Sequence, residues 1–322
     1  MNERTPYQGC YGYYSMENVK CQVLVDKSRS GRVRPWAVQK LNADYIAMAY
    51  EDVDPGKAKR IRECASWLAY IRKDDGSMKL HDARFCRVRL CPICQWRRSL
   101  KTFAQMSKVL DVAKAQGFEF IFLTLTMRNC APSELGRALD SILQGFNRLT
   151  KYKRVKGAIK GYYRGCEVTH NMVDDTYHPH LHVVLAVKPS YFKKAYISQA
   201  DWTELWAKAL GVEYTPIVDI RRCRGGAKAI AEACKYAVKP GDIINVDDWD
   251  MTVDTLAVLD RALDRRRFVG LGGVIKDIHK QLQLDDVENG DLLHTCDTDE
   301  NEPTGEEIVF WWNGYSRRYE RD

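Results

Sequence analysis

The chain has 322 residues and a mass of 37.1 kDa, and its 45% hydrophobic and 11% aromatic content is enough to fill a core, which excludes a disordered polymer. No apolar run approaches the roughly 20 residues that span a bilayer, and residues 1–10 carry no apolar stretch of the secretory kind, so a soluble, cytoplasmic protein with no membrane partner is expected. Fifty Lys and Arg against 43 Asp and Glu give +7, but Asp285–Glu307 holds ten acids and no Lys or Arg; the other 33 acids leave the rest of the chain at +17, which points to a polyanionic partner, nucleic acid before a membrane surface.

In chain order, Trp36–Tyr50 is predicted to be an amphipathic helix, preceded by a basic turn at Arg29, Arg32 and Arg34. Phe103, Met106, Leu110 and Ala113 recur at helical spacing within Gln95–Gln116, and Gly117 is placed to stop that helix. Phe118–Met127 (FEFIFLTLTM) is short and rich in β-branched and aromatic residues, hence a buried strand. A helix is predicted over Ser133–Thr150 from its Leu135, Leu139, Ile142, Phe146, Leu149 stripe. Tyr162–Thr169 and His180–Lys188 are strands joined by a turn at Asn171–Thr176, Ser198–Leu210 is a helix capped by Ser198 with Asp201, and Thr215–Arg221 is a strand. Gly225–Lys239 is predicted as a helix ended by Pro240-Gly241, and the acidic stretch, with Asn289-Gly290 and Pro303, as a loop. Helices alternating with an antiparallel strand pair indicate an α+β sandwich, while the paired glycines fit no nucleotide-binding template.

Three residue groups carry chemistry. Cys86, Cys91 and Cys94 lie in FCRVRLCPICQWRRS, where a Cys-x2-Cys pair brings two thiolates to one tetrahedral ion; this is a zinc signal, with Cys64 or His81 as the fourth ligand. His178-Pro179-His180-Leu181-His182 on a strand turns His180 and His182 to one face, and Glu167 or His170 on the neighbouring strand could complete a set suited to Mg²⁺ or Mn²⁺. In EACKYAVK, Glu232 and Tyr236 are one helical turn apart and Lys239 follows; a phenolate beside an ammonium and opposite a divalent ion can attack a phosphodiester, and a carboxylate one turn away can activate water against the same phosphate. Arg221, Arg222 and Arg224 before Gly225-Gly226 offer a phosphate-holding helix end.

FLTLT (Phe122–Thr126), EVTHN with YHPHLHVV (Glu167–Asn171, Tyr177–Val184) and EACKYAVK, in that order, resemble the HUH-endonuclease replication initiators of rolling-circle plasmids, and CRVRLCPICQWRRS is similar to the cysteine segment of the same class. The likeness spans about Cys64–Lys239, and VFWWNGYSRRY near the C-terminus shares it. The resemblance implies His180, His182 and Glu167 as divalent-metal ligands and Tyr236 as the nucleophile that nicks one strand at the double-strand origin and stays on the 5′ phosphate. Glu232 would direct the terminating water, with Lys239 beside the nucleophile. It also implies a central antiparallel sheet flanked by helices, with the histidine pair on a middle strand and the tyrosine on a facing helix. Beside it, the cysteine spacing leads to structural zinc at Cys64, Cys86, Cys91 and Cys94, and the basic residues to DNA contacts from Arg97, Arg98, Arg221, Arg222, Arg224 and Lys235. His170 departs from the pattern, which has an aromatic there. Implied partners are double- and single-stranded origin DNA, a host helicase and polymerase, and a second copy in a homodimer. The expected organisation is a zinc-bearing, DNA-binding region at 1–100, an endonuclease core at 101–245, and C-terminal helices, acidic loop and terminal strand at 246–322. A relaxase or transposase is the rival of the same chemistry, disfavoured because the tyrosine follows the histidines. A non-catalytic zinc-stabilised DNA-binding regulator and a small-substrate HxH phosphoesterase are rivals of other classes.

Overall fold

The computed structural model describes residues 22–28, 31–223, 226–234, 237–295 and 305–321. In chain order they form β1 (Gln22–Val23), α1 (Trp36–Val53), α2 (Pro55–Arg62), β2 (Trp67–Arg72), β3 (Met78–Ala83), α3 (Pro92–Ala115) and β4 (Glu119–Thr126). There follow α4 (Leu135–Leu149), α5 (Lys153–Ala158), β5 (Ile159–Asn171), β6 (Thr176–Val187), α6 (Gln199–Leu210), β7 (Val218–Arg222) and α7 (Gly226–Ala233). The remainder is α8 (Trp249–Leu263), β8 (Val269–Gly273), α9 (Val274–Gln281), β9 (Glu306–Asn313) and β10 (Arg318–Arg321). The fold is α+β, as expected, but with two antiparallel sheets: β1-β10-β9-β2-β3 and β7-β4-β6-β5-β8. Neither sheet keeps to one of the three expected segments. Residues 269–273 form an edge of the second sheet, and 306–321 pair with β1 and β2.

The second sheet is central because β6, its middle strand, is buried on both faces. Side chains alternate along a strand, so Leu181, Val183, Leu185 and Val187 enter one apolar cluster while Val184 and Ala186 enter the other. The first cluster includes Leu139, Ile142 and Phe146 of α4, Trp202 and Trp206 of α6, and Leu256 and Leu259 of α8. Trp206 also donates its ring N–H to the Thr126 carbonyl at 2.7 Å, so truncating it would cost about 3–5 kcal/mol. The second cluster joins Phe120 and Phe122 to Met106, Val109 and Leu110 of α3, Ile230 of α7, and Ile275 and Ile278 of α9. On this face His180 and His182 lie opposite Thr126 and Thr124 of β4.

Local chemistry accounts for most element ends. Gly117, at φ +82°, stops α3 where expected. Ser198 caps α6 reciprocally with Asp201, the Asp201 N–H donating to the Ser198 hydroxyl at 3.1 Å and the Ser198 N–H to the Asp201 carboxylate at 3.1 Å. Between β5 and β6, the Asn171 side chain accepts from Val173 N–H at 3.0 Å and Asp175 takes φ +46°, closing the connection in four residues. One expectation fails. The helix predicted over Gly225–Lys239 is described only as Gly226–Ala233, because beyond it Ala237 O accepts from Val168 N–H of β5 at 2.8 Å and Val238 N–H donates to Gln95 at 3.4 Å, so helical partners are replaced.

The acidic stretch is anchored, as far as residue 295, along α3 and the chain before β8. Lys101 pairs with Asp285 and donates to Asp291 O at 2.7 Å, Arg267 pairs with Asp286 at 2.8 Å, and the Glu288 carboxylate accepts from Phe268 and Val269 N–H at 2.6 and 3.0 Å. Glu306 and Glu307, at its far end, belong to β9. Burial opposes ionisation of Asp285 and Asp286, but hydrogen bonds from Lys101 to Asp285, and from Asn289 N–H and Arg267 to Asp286, outweigh it and hold both carboxyls below their usual range. Groups so depressed stabilise the docked loop above the unfolded carboxylate pKa of about 4, and that contribution fades as pH falls through their folded values. Hydrogen-exchange protection of amides 286–293 should therefore hold at about pH 5 and fall toward pH 3, less so in Asp285→Asn; unchanged protection across that range would contradict the assigned anchoring.

Candidate functional site

The register of β5 against β6 builds the site. From Asn171 opposite Thr176 the pairing runs without a shift to His170 opposite Tyr177, Glu167 opposite His180 and Gly165 opposite His182. Glu167, His180 and His182 therefore share the face that packs toward α3 and α7, and all three are buried. Glu167 Oε2 lies 3.5 Å from His180 Nε2 and 3.3 Å from His182 Nε2, and one donor atom from each residue falls within 4.8 Å of the others.

Each ring is oriented from its other nitrogen. His180 Nδ1 donates to the His178 carbonyl at 3.1 Å, which turns Nε2 toward Glu167. His182 Nδ1 lies 3.4 Å from Thr124 Oγ1, and its ring stacks on Phe122 with centroids 5.6 Å apart. Burial disfavours the charged form of Glu167, yet hydrogen bonds from His180, His182 and Lys239 prevail and hold its carboxyl well below the ordinary range. The Lys239 ammonium meets the other carboxylate oxygen, Oε1, at 2.5 Å, and Glu232 lies 4.0 Å from His182 Nε2. One acid, two imidazoles and neighbouring partly exposed groups form a donor set that could hold a divalent ion and leave sides open to a phosphate.

His170, the competing ligand, is elsewhere. It stacks on Tyr177 at 4.4 Å and bonds Asp175 at 3.0 Å, near the turn between β5 and β6. His178, the third histidine of the run, bonds Asn129 at 2.9 Å and stays out of the group.

The cysteines form a second group. Cys64 just beyond α2, Cys86 and Cys91 before α3, and Cys94 in its first turn are all buried, with Sγ–Sγ distances of 3.6 Å (Cys64 to Cys94) and 3.7 Å (Cys86 to Cys94 and Cys64 to Cys91). Those are the edges of a tetrahedron around an ion about 2.3 Å from each sulfur, which would space them by about 3.7–3.8 Å. Backbone N–H groups of Cys86 and Arg87 point at Cys64 and Cys94 at 3.4 and 3.3 Å, as thiolates require. Four thiols this close and this dry fit a closed metal site, with Cys64 rather than the exposed His81 as the fourth member.

A family model described as "Replication protein" matches residues 77–320. The chain belongs to the Rep family of plasmid replication initiators. "Protein rep" of Bacillus amyloliquefaciens is 40% identical over 95% of this chain and 99% of its own length. The proteins of the same name from Streptococcus pneumoniae serotype 2 and Lactiplantibacillus plantarum are 39% and 37% identical, each over 92% of this chain and over 95% and 98% of their own lengths. No solved structure matches the chain.

For this Rep-family chain the remaining expected residues divide. Tyr236, Lys235 and Arg224, and Arg29 of the basic turn, lie outside the described residues. Lys239 reaches the site from beyond α7 rather than from within it. Arg221 and Arg222 are exposed on the edge strand β7, Arg221 pairing with Asp219 at 2.8 Å and Arg222 with Glu119 while it stacks on Phe192 at 4.2 Å. Arg97 is a correction. It is 3% exposed, donates to Leu292 O and Leu293 O at 2.9 and 2.6 Å and packs over Trp36, so its guanidinium holds the acidic loop and cannot reach DNA. Arg98 is half-buried and donates to Glu288 O at 3.0 Å. The ring-orienting Thr124 and Phe122 were not singled out as site residues, although FLTLT at period two marks them as the neighbours of any ligand on the adjacent strand.

The four-cysteine geometry makes a direct expectation: protein purified without chelator should carry about one equivalent of zinc by elemental analysis, and Cys91→Ser should lose it and melt roughly 10 °C lower. Zinc retained at full stoichiometry in Cys91→Ser would exclude the four-thiol site.

Proposed function

We propose that this Rep protein initiates rolling-circle plasmid replication by nicking one strand at the double-strand origin. The observation that carries the reading is the convergence of Glu167, His180 and His182 on one sheet face with Glu232 and Lys239 at its rim, in a chain of this family. A divalent cation such as Mg²⁺ or Mn²⁺ held by Glu167, His180 and His182 would offset the charge of the scissile phosphate and polarise it. Tyr236 is the proposed nucleophile. Its phenol oxygen bonds phosphorus as the bond to the 3′ oxygen breaks; the phenol proton passes to the departing 3′ oxygen through solvent, giving a 5′-phosphotyrosine and a free 3′ hydroxyl.

Transesterification conserves one phosphodiester bond for another, so the step needs no nucleotide cofactor. The 3′ hydroxyl primes synthesis, which assigns a host polymerase and helicase as partners. At termination Glu232 takes the proton of an attacking water while the phosphotyrosine bond breaks and the phenol is regenerated. Lys239, paired with Glu167, keeps that carboxylate ionised and adds positive charge toward the phosphate. Origin DNA is bound through exposed basic residues, Arg221 and Arg222 among them, in keeping with the +17 body, and the four-cysteine group is proposed as structural zinc.

The test is incubation with supercoiled plasmid bearing the cognate origin and Mg²⁺ or Mn²⁺. Wild type should yield open circles, chelator should prevent them, and Tyr236→Phe should bind origin DNA unchanged while losing nicking by at least about 10³-fold. Glu232→Ala should nick but release slowly. Origin binding without any metal-dependent nicking would instead identify a non-catalytic DNA-binding regulator.

A further inference from the structure

α3 begins inside the cysteine cluster and ends its first turns against the chain that carries the proposed nucleophile. Gln95 follows Cys94 directly, is 5% exposed, and its side-chain oxygen accepts the Val238 N–H at 3.4 Å. One turn on, the Ser99 hydroxyl donates to the Cys234 carbonyl at 2.7 Å. These two contacts fall on either side of residue 236, two residues before it and two after. The same stretch is tied to the metal-ligand strand: Ala237 O accepts from Val168 N–H, next to Glu167, at 2.8 Å. It is also seated closely, since a Cβ added at Gly165, opposite His182 on that face, would stand 2.4 Å from the Ala233 carbonyl oxygen.

α3 itself has little freedom. Its N-terminus is gathered with Cys64, Cys86 and Cys91 at Sγ separations of 3.6–3.7 Å, and Arg97 and Arg98 bind it to backbone carbonyls at 292, 293 and 288. Residues 234 and 238 are thus held from α3, and at a reacting centre a displacement of about 1 Å costs up to about 10²-fold in rate.

We infer that Gln95 and Ser99 are positioning residues for strand cleavage: they hold Cys234 and Val238, the described residues that flank the proposed nucleophile in sequence, and through α3 they make the four-cysteine site a determinant of the cleavage rate. The inference rests on the proposed tyrosine chemistry. Gln95→Met removes the acceptor at similar volume, Ser99→Ala removes the donor, and Ser99→Thr keeps it.

The experiment measures single-turnover cleavage of a saturating single-stranded oligonucleotide containing the origin nick site, alongside its Kd, the zinc content and the melting temperature. Gln95→Met and Ser99→Ala should each slow cleavage about tenfold with Kd and zinc content unchanged, the double variant should slow it further, and Ser99→Thr should restore the rate. Wild-type cleavage in both single variants would overturn the inference, as would a loss of rate matched by loss of folding that Ser99→Thr fails to rescue. Tyr236→Phe, run in parallel, separates the two levels. If it loses the covalent adduct while Gln95→Met and Ser99→Ala cleave normally, only the positioning role is wrong; if it keeps the adduct, the tyrosine chemistry fails and the positioning role with it.

Discussion

The site follows from the pairing of β5 with β6, which runs in one register from Gly161 to Asn171, across a four-residue connection. Because side chains alternate and the register is continuous, the turn at Asn171–Thr176 fixes that Glu167 faces His180 and lies diagonal to His182. A slip of one residue would turn the imidazoles into the apolar cluster of Trp202 and Trp206 and bring Leu181 to the opposite face. The apolar residues at alternate positions of β6 therefore act as the guarantee of the Glu-His-His geometry, since their misplacement would expose or strand a large buried surface.

Charge is arranged around that constraint rather than spread evenly. One carboxylate, Glu167, serves two imidazoles and one ammonium, so its ionised form is stabilised from three directions despite burial. The much larger excess of positive charge is handled separately. The acidic stretch takes up Lys101, Arg97, Arg98 and Arg267 along α3 and the start of β8, leaving the edge strand β7 with exposed arginines. The composition-level asymmetry thus has a physical meaning: basic residues near the cysteine segment are internal anchors, and those on β7 are open to solvent.

The α+β class, the strand carrying the histidines and the helix that opens with a capping box were legible because period-two and period-3.6 patterns are local. The four-cysteine and Glu-His-His groups were legible as candidates, but the choice of Glu167 over His170 depends on the residue-by-residue register of the β5–β6 hairpin, and that of Cys64 over His81 on the packing of the end of α2 against the start of α3. Three further features carried no local signal. The first sheet joins β1 to β10 and β2 to β9, near the opposite end of the chain, so no window of sequence contains it. The burial of Arg97 depends on carbonyls at 292 and 293, and an Arg-Arg pair in a cysteine segment looks the same whether it binds a loop or a phosphate. The helix forecast to Lys239 ended early because β5 and Gln95 supply hydrogen-bond partners at 237 and 238, a tertiary override of propensity.

In the proposed reaction the Glu-His-His face activates a phosphate toward one phenol, and the sharpest test is chemical mapping of the phosphotyrosine bond. Wild-type protein reacted with an oligonucleotide containing the nick site, then digested and sequenced by mass spectrometry, should yield one nucleotide-bearing peptide, with the phosphate on Tyr236, formed only when a divalent cation is present. A phosphate found on any other side chain, or an adduct formed equally in chelator, would contradict it.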